Sequence, residues 1–419
     1  MTSVETGVRG SPHTGPRSDI LVLGGGLAGL SVVSALIDQG LEETVHVFEP
    51  RSRDDYSRDR TWCMWDIGEN PLADLATHHW NEWLVRDETR VVRARSDKHP
   101  YLRLPADHVY DRLLSRAENT PSVQLHFAAK ANRVESVASG VRVATEQGKV
   151  TGRIALDSRP RPGRSSGRWL LQSFVGWEVR TRDRVFDPTT VTLMDFRLRQ
   201  PGVIEFFYIL PLAEDRALVE STVFAPSVAH AAYHERRIEA YVERVLKTGV
   251  CEIEYSERGV IPMGFDHVPG PAQHGVLPIG LRGGVVKPST GYAFLRIQED
   301  SRRVAAEVAS GGTAPSGRGS TPRARLLDRI FLSFLRHQPE LAPGAFLDLF
   351  DRVPADDLIG FLSEAGSLAA DLRVMRALPP APFLREAVRA AGVVRRRASG
   401  PSTASVAPDR DQPIVVPAR

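Results

Sequence analysis

Cysteine is nearly absent from this chain of 419 residues: Cys63 and Cys251 are the only two. They form no CxxC pair and supply no disulfide framework, which excludes a small stapled scaffold and fits a reducing cytoplasm. No metal site is expected. An excess of one charge sign is also missing. Lys and Arg number 54 against 51 Asp and Glu, a formal net charge of +3, so the balance gives no case for a nucleic-acid partner. The small excess is local: near the C-terminus Arg395, Arg396, Arg397, Arg410 and Arg419 stand against Asp409 and Asp411. One uncharged stretch, Ile20 to Ile37, has roughly the shortest length that crosses a membrane. Gly24, Gly25, Gly26 and Gly29 interrupt it, and its pattern changes halfway from strand to helix. A strand-turn-helix explains it better than a membrane span or a signal peptide. With 42% hydrophobic and 25% charged residues the composition is globular.

Residues 1–18 are polar and Gly/Pro-rich and read as a disordered leader. Ile20 to Leu23 is a buried strand, Leu30 to Asp38 a helix, and Thr44 to Glu49 a second strand, which makes a β-α-β unit. Pro105 to Ala117 has helical spacing, and Val123 to Phe127 and Ile154 to Asp157 are further apolar runs. From Trp169 to Ile261 the chain alternates and is rich in β-branched and aromatic residues, predicting an antiparallel sheet interrupted by a helix at Ala229 to Leu246. Gly275 to Gly280 then returns to a strand and Gly291 to Ala309 to a helix. The domain reading is a discontinuous dinucleotide-binding unit (19–168 and 258–309) enclosing a sheet domain (169–257). A linker (310–325) of Ser, Gly, Pro and Arg, a helical region (326–390) broken by prolines, and a disordered basic tail (391–419) follow.

Gly24-Gly25-Gly26-Leu27-Ala28-Gly29 is a GxGxxG in the right setting. It follows a strand and opens a helix, and Glu49 lies about twenty residues on, at the end of the next strand. Glycine is required where backbone approaches a pyrophosphate at a helix N-terminus, and the acid is placed for a ribose hydroxyl. A late glycine motif, Gly280-Leu281-Arg282-Gly283-Gly284, precedes Pro288-Ser289-Thr290-Gly291-Tyr292. This order of parts resembles FAD-binding proteins of the p-hydroxybenzoate-hydroxylase type. Those proteins usually have Gly-Asp where Leu281 stands, which weakens a general oxygenase reading. The 288–291 loop still offers backbone N–H groups to a flavin.

Four of the six tryptophans, Trp62, Trp65, Trp80 and Trp83, fall close together. They suit either an aromatic core or an apolar tunnel whose π faces stabilise a cation. Around them the chain resembles the bacterial-type lycopene β-cyclases. The matching blocks are Asp59 to Trp65, Ala155 to Arg159, Gln172 to Val179, Met194 to Arg197, Phe206 to Leu212, Leu218-Val219-Glu220, Gly259 to Gly264, Pro288 to Tyr292, and Pro379 to Leu384. They run in order from Asp19 to about Arg389. The family often has a second acid after the glutamate matching Glu220; here that residue is Ser221.

The resemblance implies a Rossmann-like FAD domain with an inserted β-sheet substrate domain and a C-terminal helical cap. It implies Glu220 as catalytic acid/base, although an alternating strand alone makes it a surface or ion-paired glutamate. It implies reduced FAD, held by Gly24, Gly26, Gly29, Glu49, Gly280, Pro288 and Gly291, with NAD(P)H as reductant. Trp62, Trp65, Trp177 and Tyr208 would line the tunnel. Lycopene and then γ-carotene would be cyclised without net redox change by an enzyme attached peripherally to the cytoplasmic membrane surface, aided by Arg395 to Arg397. Glu178, Asp195 and Arg197 read better as ion pairs than as catalysts. The rival expectations are a flavin monooxygenase or reductase acting on a hydrophobic isoprenoid, and a non-catalytic prenyl carrier on the same fold.

Overall fold

The computed structural model describes residues 20–40, 43–159, 170–264, 273–312 and 320–398. The expected leader, nearly all of the 159–168 loop, part of the 310–325 linker and the tail beyond 398 lie outside the described residues.

Every residue of β1 (Ile20–Leu23) is buried, the pattern of a parallel strand covered on both faces. The glycine turn leads into α1 (Leu27–Asp38), and β2 (Val45–Phe48) returns parallel to β1. Next come β3 (Thr61–Trp65), β4 (His78–Trp80), the hairpin β5 (Glu82–Arg86) and β6 (Val91–Arg95), and β7 (Tyr101–Pro105). The helix α2 (Ala106–Glu118) buries Val109, Tyr110, Leu113 and Leu114 at helical spacing, and β8 (Val123–His126) pairs with β2. A meander of β9 (Arg133–Val137), β10 (Gly140–Thr145) and β11 (Gly148–Gly152) precedes β12 (Ile154–Asp157). The long strands β13 (Leu170–Thr181), β14 (Thr190–Asp195), β15 (Ile204–Ala213) and β16 (Arg216–Ala225) follow, then α3 (Ala231–Arg244) and β17 (Val250–Met263). After β18 (Val276–Pro278) and α4 (Phe294–Ala309) the chain is helical: α5 (Pro322–His337), α6 (Ala342–Arg352), α7 (Ala355–Leu362), α8 (Leu368–Ala377) and α9 (Pro380–Ala398).

A five-stranded parallel sheet has the order β18-β12-β1-β2-β8. Ile20 and Val22 pack under α1 and α4, while Leu21 and Leu23 pack against the meander, so both faces are covered. The second large sheet has seven strands, in the order β17-β13-β16-β15-β14-β5-β6. Two sequence expectations are corrected here. The sheet is neither wholly antiparallel nor confined to 169–257. β5 joins β14 in parallel, with Thr190 opposite Glu82, and β17 runs on to Met263. The hairpin carries Trp83 and Val85, which are buried where it docks on this sheet edge. The expected tail is also shorter, since α9 runs helical through Arg395 to Arg397. Alanine and arginine after Pro380 are strong helix formers, and proline suits a first helical position. Pro322 and Pro343 likewise sit in first turns and Pro354 at an N-cap, so the prolines divide this region into short helices without breaking any of them.

Candidate functional site

A cavity of about 780 Å³ lies between one face of the seven-stranded sheet, the small β3-β7-β4 sheet and α5 to α9. That volume falls within the ~300–1,000 Å³ of ligand pockets. Period-two alternation selects its wall. Leu218, Glu220, Thr222 and Phe224 of β16 all face it, as do Phe206 and Tyr208 of β15 and Gln172 and Phe174 of β13.

Glu220 is the acid set in this wall. It is 8% exposed, and its Oε1 accepts a 2.6 Å hydrogen bond from the Thr222 hydroxyl. Burial is the main force raising its pKa, to about 8; the charge of Glu257 adds to the rise and Thr222 opposes it. The carboxyl is therefore protonated at neutral pH. The neighbouring Tyr208 and Tyr101 hydroxyls are 3.0 Å apart. Burial raises both well above the ordinary phenol range, so they stay neutral. Burial also pushes the Cys63 thiol up to about 12, which makes it a poor nucleophile.

Trp65 and Trp62 both line the cavity. Trp65 stands edge-on to Trp83, Tyr101 and Tyr292, and Trp62 packs on Tyr110 and Phe294. Gly291 joins the same wall. At φ +75°, it places its backbone so that a Cβ would come within 3.0 Å of Ile261. Pro288, which precedes the lining residue Ser289, is buried.

Trp177 is a correction. It belongs to the odd-numbered face of β13 and packs with Val175, Phe207, Ile238 and Tyr241 under α3, on the far side of the sheet. Its position within a matching block carried no information about facing; the one-residue offset from Gly176 decides it. Ser221 also faces α3, where it meets His234 Nδ1 at 3.0 Å. A second acid at that position would not have shared the cavity with Glu220.

Sequence reasoning missed a sheet acid that does share it. Glu257 of β17 lines the cavity and is 5% exposed. The block Gly259 to Gly264 was legible, and Glu257 lies two residues before it on the same strand. The alternation Glu257-Gly259-Ile261 was the available signal. Lys287 was missed as well. This buried lysine bonds Asp328 of α5 at 2.8 Å, and Ser289 bonds the same carboxylate at 2.6 Å, which fastens the 285–292 loop to the helical region. Glu178, Asp195 and Arg197 are ion-paired: Glu178 with Arg58, Arg103 and Arg216, and Asp195 with Arg197.

The first glycine loop lies outside the cavity, at the end of the parallel sheet. Gly24 has φ +97°, and its N–H donates to Phe48 O at 2.8 Å. A Cβ on Gly29 would collide with Gly24 O. The Gly25 N–H donates to Glu49 Oε2 at 2.6 Å, and Arg51 Nε donates to Oε1 at 2.8 Å. Gly26 is the N-cap of α1; among the described residues no side chain caps the helix there, and a Cβ on Gly26 would meet nothing within 4 Å. The amides of the first turn therefore face a cradle fit for an anion. Gly280 has φ +58°, and a Cβ there would come within 2.5 Å of that of Ala28, so the two glycine motifs touch. These residues fit the phosphates of a dinucleotide.

A family model described as lycopene cyclase protein matches residues 19–388. The chloroplastic lycopene beta cyclase of an Oncidium hybrid cultivar is 28% identical over 306 residues, covering 67% of this chain and 61% of that one. The lycopene beta-cyclase of Pantoea ananas is 24% identical over 386 residues, covering 88% and 97%. That of a Paracoccus strain is 30% identical over 241 residues, covering 51% and 58%. The chain thus spans less than two thirds of the Oncidium and Paracoccus proteins and nearly all of the Pantoea one. Among solved structures, a geranylgeranyl bacteriochlorophyll reductase-like protein from Thermoplasma acidophilum aligns with a TM-score of 0.57 at 13% identity, covering 88% of this chain and 98% of that one. Klebsiella pneumoniae HpxO complexed with FAD aligns at 0.53 and 13%, covering 83% and 98%. At these identities the likeness is one of fold.

Proposed function

The chain belongs to the lycopene cyclase family, and on that premise we propose that it closes the linear ψ ends of lycopene, through γ-carotene, to the β-ionone rings of β-carotene. One observation carries the reading: Glu220 is a carboxyl held protonated near neutrality in the wall of an apolar, aromatic cavity. Its proton goes to C2 of the terminal alkene and leaves a tertiary cation at C1. The C5=C6 electrons close the C1–C6 bond, and loss of the C6 proton restores the double bond. Trp62, Trp65 and Tyr208 offer π faces to the cation and exclude water that would trap it. Desolvation keeps the acid loaded until the alkene arrives.

FAD fits the chain: Gly24, Gly26 and Gly29 would take its pyrophosphate, Glu49 its ribose, and Gly280, Pro288 and Gly291 its ring end. Bound and reduced by NAD(P)H, it would supply electron-rich charge beside the developing cation. Because the chemistry is an isomerisation, pre-reduced enzyme under anaerobic conditions should make rings well past one per flavin with no further NAD(P)H. A halt at one equivalent would favour a reductase.

The substrate dissolves in membranes, and a cavity mouth on the helical region supports delivery from a bilayer. Met375 and Leu384 line the cavity and are 47% and 66% exposed. Beside them Leu368, Leu372 and Val388 are also exposed. Through residue 389, the exposed ionisable side chains of α8 and α9 are Arg373, Arg376, Arg385 and Arg389, while Asp371 and Glu386 are buried. Such a surface suits an anionic bilayer at ~1 kcal/mol per basic residue. Replacing Leu368, Leu372 and Val388 together by Ser should reduce co-sedimentation with phosphatidylglycerol vesicles several-fold and leave flavin content unchanged. Equal sedimentation would remove this surface from the proposal.

A further inference from the structure

Gly176 of β13 stands opposite Glu220 on one side and Glu257 on the other. The two acids thus occupy one rung of the sheet, on strands that flank β13. Adjacent strands are ~4.8 Å apart, so their backbones are separated by about 10 Å. The glycine puts no side chain of its own between them, and Leu218 Cδ1 packs over it, 3.2 Å from where a Cβ would stand. A Cβ at Gly176 would lie 3.5 Å from Glu220 Cβ and 3.3 Å from Glu257 Cγ. Both side chains line the same cavity.

Their partners differ. Among the described residues, Glu220 has one hydrogen-bond donor, Thr222. Glu257 Oε2 accepts from the Tyr255 hydroxyl at 2.9 Å. Thr61 lies beside it, and the charges of Arg103 and Arg58 act on it. Cys63, a neutral thiol, and Glu220 both feel its charge, and Arg60 and Arg258 line the same cavity. Two carboxyls on one rung, one poor in donors and one facing cations, have the division of labour of a general acid and a general base.

We infer that Glu257 is a second catalytic carboxylate, the base that takes the C6 proton after Glu220 has protonated C2. The inference rests on the cyclase reading and adds a residue to it. The balance closes without an oxidant or reductant. One C–H bond forms at C2 and one breaks at C6, the C1–C6 bond is made from the C5=C6 pair, and the C6–H pair re-forms C5=C6. Glu220 ends ionised and Glu257 protonated. One proton passed back across the rung, over Gly176, resets the site for the next ring.

Burial raises Glu257 above the ordinary glutamate range, while Tyr255, Thr61, Arg103 and Arg58 hold it down. The wild-type rate should then rise with pH as Glu257 ionises and fall as Glu220 ionises near pH 8. Glu257→Gln should lower kcat by about 10²–10⁴, the usual cost of a lost general base, with KM within three-fold and flavin content intact. Its profile should lose the acid limb and keep the alkaline one. Gly176→Ala, which wedges a methyl into the rung, should lower kcat with both acids present. A Glu257→Gln enzyme within three-fold of wild type, or one slowed with both limbs in place, overturns the inference.

An infrared titration gives a readout that does not need turnover. The protonated Glu220 band, identified by its loss in Glu220→Gln, should disappear at lower pH in Glu257→Gln, because the like charge is gone. A band that titrates as in wild type counts against the pair. If instead the band moves and even the wild type forms no ring from lycopene, the cyclase reading fails while the coupled pair stands.

Discussion

The two faces of the seven-stranded sheet are made by the same strands with the same alternation, yet they are built for different ends. On the α3 face, Val175, Trp177, Val179 and Val219 pack against Ile238 and Tyr241. The polar groups there satisfy one another: Ser221 meets His234 Nδ1 at 3.0 Å, and Ser173 meets His234 Nε2 at 3.3 Å. On the opposite face, one residue away along each strand, Glu220, poor in donors, and Glu257, held by Tyr255, are buried in a cavity roofed by helices. One face resolves its buried polar groups locally and gains stability. The other keeps two acids poised and gains chemistry.

Substitutions on either face should separate the two properties. The largest effect belongs to the cavity face. Glu220→Gln should stay folded and flavin-bound but lose ring formation by about 10²–10⁴, and Glu220→Asp should keep a trace, as read by product analysis in lycopene-accumulating cells. Activity within a few-fold of wild type would return Glu220 to the status of a sheet glutamate. Next is Trp177→Ala on the α3 face. Emptying a buried indole should cost about 3–5 kcal/mol of stability, seen in chemical denaturation, with kcat per folded molecule nearly unchanged. A rate collapse without destabilisation would reverse the assignment of the two faces.

The smallest effect is a pH dependence of the α3 face. Burial lowers the His234 pKa to about 4, while its contact with Ser221 opposes the fall. The unfolded chain then binds more protons between pH 6.5 and about 4, so stability should decline as pH falls through that window. His234→Gln should flatten this slope in denaturation measured at several pH values. An unchanged slope would mean that the histidine is not held neutral.

Legibility in the sequence followed range. Short-range features came through well: Ile20 to Leu23 with its glycine turn, the face Leu218-Glu220-Thr222-Phe224, and most helix positions, because period and turn chemistry are local. Facing across the sheet did not. Alternation groups Glu257 with Gly259 and Ile261 and sets Trp177 apart from Gly176, but which of the two faces borders the cavity depends on the neighbour each strand finds, and no local pattern encodes that. The docking of β5 on β14 was hidden for the same reason, since its partner lies about a hundred residues away. Lys287 directly precedes the readable block Pro288 to Tyr292, but its partner Asp328 is supplied by a later helix.

The parallel pairing of β5 with β14 also bears on how the protein is made. The sheet that carries both acids cannot be completed by residues 170–263 alone, because its far edge comes from the hairpin at 82–95. During synthesis that hairpin emerges first, and the edge of β5 stays unpaired until Thr190–Asp195 arrives. Non-local pairing of this kind slows folding and leaves apolar surface open to aggregation in the interval. The catalytic rung at Gly176 forms later still, when β17 adds Glu257 to a sheet that already holds Glu220.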